Sequence, residues 1–228
     1  MSDPHIFESK AITVTWNKRR CIHAAECVRG LPDVFEPGRK PWIVPDHASA
    51  DEIASVVARC PTGALHFERH DGGAAETHES ENTVWVARHG PLQLRGALEL
   101  GTDEDSALSE TRASLCRCGR SRNKPFCDGS HHPAGFRDAG DVFEGPMGKP
   151  AGSPGPLRVN ARANGPLRLE GPLTLMSADG RVRLMGGEAV LCRCGQSRKK
   201  PFCDGSHKDA GFVASELQSE HESGPGGT

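Results

Sequence analysis

Six of the nine cysteines in this chain lie in an internal repeat, and no other sequence feature limits the fold as strongly. Residues 115–131 read LCRCGRSRNKPFCDGSH and residues 191–207 read LCRCGQSRKKPFCDGSH, so the two segments differ at only two positions. The similarity extends upstream, where GPLQLRGALEL at 90–100 matches GPLRLEGPLTL at 165–175. A repeat of this length predicts two copies of one structural unit.

The upstream blocks alternate in period two, which is typical of β-strands. In each block four leucines share one face, and a glycine, Gly96 or Gly171, interrupts that face. A glycine at such a position marks a bulge or a close backbone approach. Each copy is therefore predicted to be a few strands followed by a cysteine loop. A unit of roughly 55–60 residues is too small for a core of its own, so we expect the copies to pack about a pseudo-twofold axis.

The composition also favours small units over one large core. Of the 228 residues, 36% are hydrophobic and 5% aromatic, and tyrosine is absent. A formal net charge of −2 excludes the global basicity of a nucleic-acid binder. No apolar run approaches the ~18 residues of a membrane span. The first ten residues include Asp3 and Glu8 and lack the hydrophobic segment of a signal peptide, so we expect a cytoplasmic protein.

The cysteines indicate metal binding, because an odd number of them without a secretory signal argues against a disulfide framework. Each loop offers three thiols and one imidazole, a donor set that fits either tetrahedral zinc or an iron–sulfur cluster. Zinc sites usually pair cysteines as C-x₂₋₄-C, whereas these loops contain C-x-C and C-x₃-H. Two separate ligand pairs suit the two metal centres of a two-iron cluster, which favours iron–sulfur without excluding zinc. The candidate ligands are Cys116, Cys118, Cys127 and His131 in the first loop, and Cys192, Cys194, Cys203 and His207 in the second.

The motif C-x-C-x₂-S-x₃-P-x-C-D-G-S-H resembles the signature of the CDGSH iron–sulfur (NEET) family, and both copies match it at every defined position. The resemblance implies one [2Fe–2S] cluster in each loop. It places the C-x-C pair (Cys116 with Cys118, Cys192 with Cys194) on the inner iron. It places the last cysteine and the histidine (Cys127 with His131, Cys203 with His207) on the outer iron. Tandem motifs resemble family members that form a pseudo-dimer within one polypeptide.

Other loop residues suggest supporting roles. Asp128 and Asp204 stand where an aspartate can cap a short helix, and Ser121 and Ser197 are candidate hydrogen-bond donors to sulfur. The basic residues of the loops would form a collar that raises the cluster potential and attracts an acidic partner. That collar comprises Arg117, Arg120, Arg122, Lys124, Arg193, Arg198, Lys199 and Lys200.

The first seventy residues follow a different pattern. Alternating Ile12, Val14 and Trp16 predict a strand. Residues 49–52 read SADE, a capping box, and apolar residues at helical spacing follow it as far as Cys60. Residues 64–67 could form a closing strand.

Three cysteines of this region resemble a ferredoxin ligand set. Bacterial four-iron ferredoxins use C-x₂-C-x₂-C with a distant Cys-Pro, and here Cys21, Cys27 and Cys60 keep three of those positions while Ala24 replaces the second cysteine. Three sulfurs favour [3Fe–4S], although His23 could ligate a fourth iron and complete [4Fe–4S]. The segment from about 10 to 68 resembles the divergent mono-cluster ferredoxin domain, a resemblance that implies the same three cysteines as cluster ligands.

These patterns together predict an α+β protein, with a small ferredoxin-like N-terminal domain and two β-rich, zinc-finger-like CDGSH units packed as an intrachain pseudo-dimer. The mono-cluster domain is expected at 1–70 and the CDGSH domains at 83–137 and 157–214. Polar, Gly-rich linkers are predicted at 71–82 and 138–156, and a disordered tail at 215–228.

The predicted function is one-electron transfer by two [2Fe–2S] clusters and one [3Fe–4S] or [4Fe–4S] cluster. No catalytic motif is legible, so we expect no enzymatic activity. The expected partners are redox proteins or apo iron–sulfur proteins, with no nucleic acid and no membrane, and the chain is expected to be a monomer. The alternative is a carrier that donates labile [2Fe–2S] clusters, or a redox or pH sensor, because protonated histidine cannot bind iron.

Overall fold

The computed structural model describes residues 4–101, 107–150 and 153–215. The chain divides into two compact units, Met1–Thr77 and His78–Thr228. Within the described ranges, no helix has the length and apolar character needed to cross a membrane. Apart from Ser215, the tail predicted at 215–228 lies outside the described residues.

The N-terminal unit is an antiparallel three-stranded sheet with two short α-helices. Its strands are β1 (His5–Glu8), β2 (Ile12–Trp16) and β3 (Leu65–Arg69), in the order β1-β2-β3. The strand predicted at 12–16 is confirmed, and the closing strand begins one residue later than predicted. The helices are α1 (Glu26–Gly30) and α2 (Ala50–Val57).

Helix α2 begins at the predicted capping box. The Ser49 hydroxyl accepts a hydrogen bond from the Glu52 N–H, while the Glu52 carboxylate accepts one from the Ser49 N–H at 3.0 Å. The helix ends at Val57, so Cys60 lies beyond it rather than on its last turn. Pro61 explains this end, because a residue that precedes proline is disfavoured in the α-conformation. The core packs Ile12, Val14, Val34, Phe35, Ile43, Ile53 and Val57 together.

The second unit is one six-stranded sheet built from both copies of the repeat. Gly96 and Gly171 lie where the register shifts in the middle of a strand, as predicted for a bulge. The leucines of both upstream blocks are buried in one common core. The first copy supplies β4 (Thr83–Val86), β5 (Leu92–Leu100) and β6 (Leu108–Leu115), and the second supplies β7 (Leu157–Ala161), β8 (Leu167–Met176) and β9 (Arg183–Leu191).

On one edge, the long strand of each copy changes its pairing partner at that bulge, while its other edge pairs with β6 or β9 on both sides of the bulge. Strand β5 pairs antiparallel with β4 through residues 92–95 and then parallel with β7 through residues 98–100. Strand β8 does the same, since it pairs antiparallel with β7 through residues 167–170 and then parallel with β4 through residues 174–176. The two copies therefore share a continuous hydrogen-bonded sheet.

The segment predicted as a linker at 138–156 packs against this sheet in its described part. Val142 is 2% exposed and belongs to the core, and Met147 forms a β-bridge with Ala189. The boundary between the two units, after Thr77, falls inside the other predicted linker, 71–82.

Candidate metal centres

The first cysteine loop leaves β6 directly and folds back onto it. The Cys116 N–H donates to the Pro125 carbonyl and the Cys127 N–H to the Ser114 carbonyl, both at 2.8 Å. These bonds bring the candidate ligands together in two pairs. The Sγ atoms of Cys116 and Cys118 are 3.8 Å apart, and Cys127 Sγ lies 3.4 Å from His131 Nδ1.

The second loop repeats this geometry. Its Cys192 N–H donates to the Pro201 carbonyl at 2.8 Å. The Sγ atoms of Cys192 and Cys194 are 3.7 Å apart, and Cys203 Sγ lies 3.4 Å from His207 Nδ1. All eight sequence-predicted ligands of the second unit are thus brought into pairs.

The spacing within each pair fits two ligands of one tetrahedral metal. Metal–sulfur bonds of ~2.3 Å and metal–nitrogen bonds of ~2.0 Å at a tetrahedral angle separate two sulfurs by ~3.8 Å and a sulfur from a nitrogen by ~3.5 Å. In the described part of the chain, no three Cys, His, Asp or Glu side chains converge on one metal position. Ligands that meet in two pairs suit a group with two metal centres better than a single zinc ion, which all four ligands would surround together.

Backbone amides surround the candidate sulfurs. N–H groups of Arg120, Gln196 and Gly129 donate to the sulfurs of Cys118, Cys194 and Cys127, each at 3.4 Å. Such bonds favour the thiolate form that binds metal.

Burial and mutual hydrogen bonding shift the thiol pKa values of the first loop in opposite directions. A side-chain hydrogen bond from Cys116 lowers the pKa of Cys118 to about 6, and the same bond raises the pKa of Cys116. Burial raises the pKa of Cys127 to about 12. Burial also lowers the pKa of His131, and the charges of His132 and Arg117 lower it further. A neutral imidazole is the form that binds metal.

The outer ligand pair is more exposed in the second loop. His131 is 5% exposed and Cys127 is buried, whereas Cys203 and His207 are half-buried. The ring of His132 lies 4.1 Å from that of His131, and Lys208 takes its place in the second loop.

The structure corrects two of the supporting roles. Ser121 and Ser197 donate to the carbonyls of Phe126 and Phe202, at 2.7 and 2.6 Å, rather than to sulfur. Both serines are buried within the loop. The aspartates do cap the following turn, since Asp128 Oδ1 accepts from the Ser130 N–H at 3.0 Å.

Arg117 and Arg193 do not belong to a solvated basic collar, because they are 1% and 0% exposed. Each guanidinium donates to backbone carbonyls and lies over a phenylalanine ring, Phe136 for the first and Phe212 for the second. Sequence reasoning missed this burial. The sequence does contain one indication of this burial, because each arginine stands between the two cysteines of a C-x-C pair. Buried neighbours on both sides leave such a side chain little access to solvent.

The two loops touch each other through glycines. A Cβ atom at Gly119 would overlap the Cys194 carbonyl, and one at Gly195 would overlap the Cys118 carbonyl. Both glycines have positive φ, 77° and 81°. Burial lowers the pKa of Arg193, and the charge of Cys116 opposes that shift. The guanidinium of the second loop therefore lies within electrostatic reach of the first loop's inner pair.

The N-terminal unit gathers its three cysteines around one small cavity. Cys21, Cys27 and Cys60 line it, and so does Ala24. Burial, together with the charges of the other two cysteines, raises the pKa of Cys27 to about 11, which indicates that the three thiols are close. His23 is exposed and does not line the cavity.

Two tryptophans also form part of the wall of this cavity. Trp16 and Trp42 line it, and their buried Nε1–H groups have no hydrogen-bond partner within the described ranges. Buried donors without a partner are rare and often mark a missing ion or water. Three thiols that line one cavity fit an iron–sulfur group.

Three segments of the chain match models of known protein families. Residues 7–70 match the model described as "Divergent 4Fe-4S mono-cluster". Residues 89–132 and 164–208 each match the model described as "Iron-binding zinc finger CDGSH type". The matches cover all eleven candidate ligands.

Relatives of the N-terminal unit are known from Escherichia coli. The chain is 39% identical over 64 residues to "Uncharacterized protein YjdI" of strain K12 and to the protein of the same name of O157:H7. In each case the match covers 28% of this chain and 83% of the relative.

Proposed function

Because this chain belongs to the CDGSH iron–sulfur family and joins two CDGSH domains to a divergent mono-cluster domain, we propose that it transfers single electrons between partner proteins. Iron–sulfur clusters, when bound, accept and release one electron at potentials set by ligands, charge and hydrogen bonds. The protein's own residues hold them, shield them from water and set those potentials. The proposal includes no catalytic residue.

We assign one [2Fe–2S] cluster to each CDGSH loop. In the first loop Cys116 and Cys118 hold the inner iron, and Cys127 and His131 the outer one. In the second loop Cys192 and Cys194, with Cys203 and His207, do the same. The separation of the ligands into two pairs per loop supports two irons.

In the N-terminal unit we assign a [3Fe–4S] cluster to Cys21, Cys27 and Cys60. Ala24 offers no ligand at the fourth position, and the exposed His23 does not line the cavity. These observations favour three irons over [4Fe–4S]. Trp16 and Trp42 line the same cavity.

The contact between the two loops carries the electron-transfer proposal. Gly119 and Gly195 let the backbones of Cys118 and Cys194 approach closely, so two one-electron centres lie next to each other in one unit. Shared strand pairing on both sides of the bulges holds them there, and we interpret the arrangement as an intrachain pseudo-dimer. Two clusters that are held next to each other can exchange electrons, whereas a rigid contact between the loops does not help either cluster to leave.

Iron content and electron-transfer rate test the proposal. Anaerobically purified protein should contain about seven irons per chain, and eight with a complete four-iron cluster. A value near four would refute the N-terminal assignment alone, whereas zinc in place of iron would refute all three sites. After stoichiometric reduction, the protein should reduce an acceptor ferredoxin faster than it passes clusters to an apo-ferredoxin.

Cluster delivery is the second candidate, because His207 and Cys203 are half-buried and a protonated histidine cannot hold iron. The double variant His131→Cys/His207→Cys separates the two functions. Thiolate lowers the potential relative to imidazole, so both [2Fe–2S] potentials should fall. Under delivery, the variant should stop donating clusters while it remains reducible. Faster cluster transfer than electron transfer in the wild type would reverse our ranking.

The partners that fit electron transfer are redox proteins, and those that fit delivery are apo iron–sulfur proteins. We propose that the chain acts as a monomer without nucleic acid or membrane. Eleven thiol and imidazole ligands without disulfides suit a reducing compartment, so we place it in the cytoplasm.

A further inference from the structure

The two CDGSH domains differ at one position, shortly after each loop, that the repeat makes equivalent. The His89 N–H donates to the Asp138 carbonyl, and the Asn164 N–H donates to the Ala214 carbonyl, both at 2.8 Å. In return, the Asp138 N–H donates to His89 Nδ1 and the Ala214 N–H to Asn164 Oδ1. Asp138 and Ala214 therefore occupy the same place in the two halves, and only the first carries a charge.

Because of this difference, only the first of the two buried arginines forms an ion pair within the part of the chain that the structure describes. Arg117 forms an ion pair with Asp138 Oδ1, and the Asp138 side chain is 17% exposed. Arg193 donates instead to the carbonyls of Gly165, Arg162 and Ser215. Among the described residues, no carboxylate forms an ion pair with it. The first site therefore has a neutralised buried pair and the second a buried positive charge.

We propose that the two CDGSH sites have different reduction potentials and that the second site, held by Cys192, Cys194, Cys203 and His207, has the higher one because Ala214 stands where the first site has Asp138. A group that gains negative charge on reduction is stabilised by a nearby cation and destabilised by a nearby carboxylate. The inference rests on the proposed function, since it requires a cluster in each loop.

Arg193 also reaches Cys116 across the loop contact, so its charge acts on both sites. The difference between the sites therefore comes from the carboxylate of Asp138. The greater solvent exposure of the second site's ligands also raises its reduction potential relative to that of the first site. Cys203 and His207 are more exposed than Cys127 and His131, and water stabilises the more highly charged reduced state.

Charged residues at the surface do not cancel this difference. The second loop loses Arg120 and Arg137 but gains Lys199 and Lys208, and Asp209 adds one anion. These side chains are wholly or partly exposed, where water and salt screen their charges. The Asp138 carboxylate of the first site is only 17% exposed, so it is screened less and has the larger effect.

Coulomb's law gives the size of the effect. With an effective dielectric constant of ~20, one charge about 10 Å away changes an equilibrium constant on the order of tenfold. For a one-electron couple, tenfold corresponds to about 59 mV. If a reductant supplies one electron to the CDGSH unit, that electron should therefore reside in the second site about ten times as often as in the first.

Two charge variants test the inference in the full holo-protein. Asp138→Asn removes the charge, yet its amide oxygen can still accept from Arg117 and from the Gly140 N–H. Ala214→Asp adds the carboxylate to the second site. A potentiometric titration with dithionite, followed by EPR, should resolve two one-electron [2Fe–2S] waves in the wild type. Asp138→Asn should raise the lower wave and Ala214→Asp should lower the upper wave, each by about tenfold in equilibrium constant.

Ligand variants assign each wave to its loop. His207→Cys should lower only the upper wave and His131→Cys only the lower one. The reverse assignment overturns the inference, and so does a single unsplit wave or a pair of waves that neither charge variant moves. Loss of iron from the wild-type loops would instead refute the proposed function, which the iron content measures separately.

Discussion

Gly119→Ala tests whether the two CDGSH loops are held together by their close backbone contact. Gly119 has φ of 77°, a conformation that alanine adopts at a cost of ~1–2 kcal/mol. Its new methyl group would also overlap the backbone carbonyl of Cys194, which cannot rotate away as a side chain could. Forced overlap in a packed interior costs a further ~1–3 kcal/mol. We expect a total loss of ~2–5 kcal/mol in the free energy of unfolding of the second unit.

Gly180→Ala is the matched control. Gly180 has φ of 71°, lies in the turn between β8 and β9, and has open space where a Cβ would stand. It should show the conformational cost of ~1–2 kcal/mol without the overlap. The difference between the two variants therefore isolates the contact between the loops.

Urea denaturation of the anaerobic holo-protein measures both effects, with far-UV circular dichroism for the fold and visible absorbance for the clusters. Gly119→Ala should lower the midpoint more than Gly180→Ala and should speed the bleaching of both [2Fe–2S] clusters. Equal midpoints for the two variants would show that the loops do not touch tightly. Bleaching confined to one cluster would show that the contact does not couple them.

Three further predictions concern the cysteines and the N-terminal helix. Ala24→Cys should convert the EPR signal of a three-iron centre into that of a four-iron cluster, because it restores C-x₂-C-x₂-C; an unchanged spectrum would rule out the open fourth position. In protein stripped of iron, iodoacetamide at pH 7 should alkylate Cys118 before Cys127, because the thiolate is the nucleophile and the pKa values are about 6 and about 12; peptide mass mapping reads the order, and the opposite order would contradict these values. Ser49→Ala should lower the free energy of unfolding of the N-terminal unit by ~1 kcal/mol, while Ser55→Ala within α2 should not. Since the hydrogen bonds of Ser49 lower the pKa of Glu52, this cost should be full at neutral pH and shrink as the pH falls through the glutamate range; a constant cost would contradict the role of the carboxylate.

The cysteine loops could be predicted from sequence because their ligands are close together along the chain. A motif of seventeen residues, present twice, fixes which side chains can meet, and the structure pairs them as the spacing suggests. The capping box at Ser49 is likewise a local pattern and was predicted. The end of α2 was not, because helical periodicity continues to Cys60 while Pro61 stops the helix.

Non-local pairing could not be predicted in the same way. Alternation in residues 90–100 indicates a strand but does not say that β5 leaves β4 for β7 at Gly96, since partner choice depends on the other copy. The role of Asp138 was also hidden. It lies in a polar segment that composition assigns to a linker, and only the fold brings it to Arg117.

The strand exchange at Gly96 and Gly171 also bears on how such a chain could arise by gene duplication. The second half of each long strand pairs on one edge within its own copy, with β6 or β9, and on the other edge with a strand of the other copy. A single copy could therefore complete this sheet only by pairing with another identical molecule. In such an assembly every substitution appears twice. Fusion of the copies into one polypeptide removes that constraint, and each half can then accumulate its own changes. Asp138 and Ala214 are a pair that only a fused chain can have.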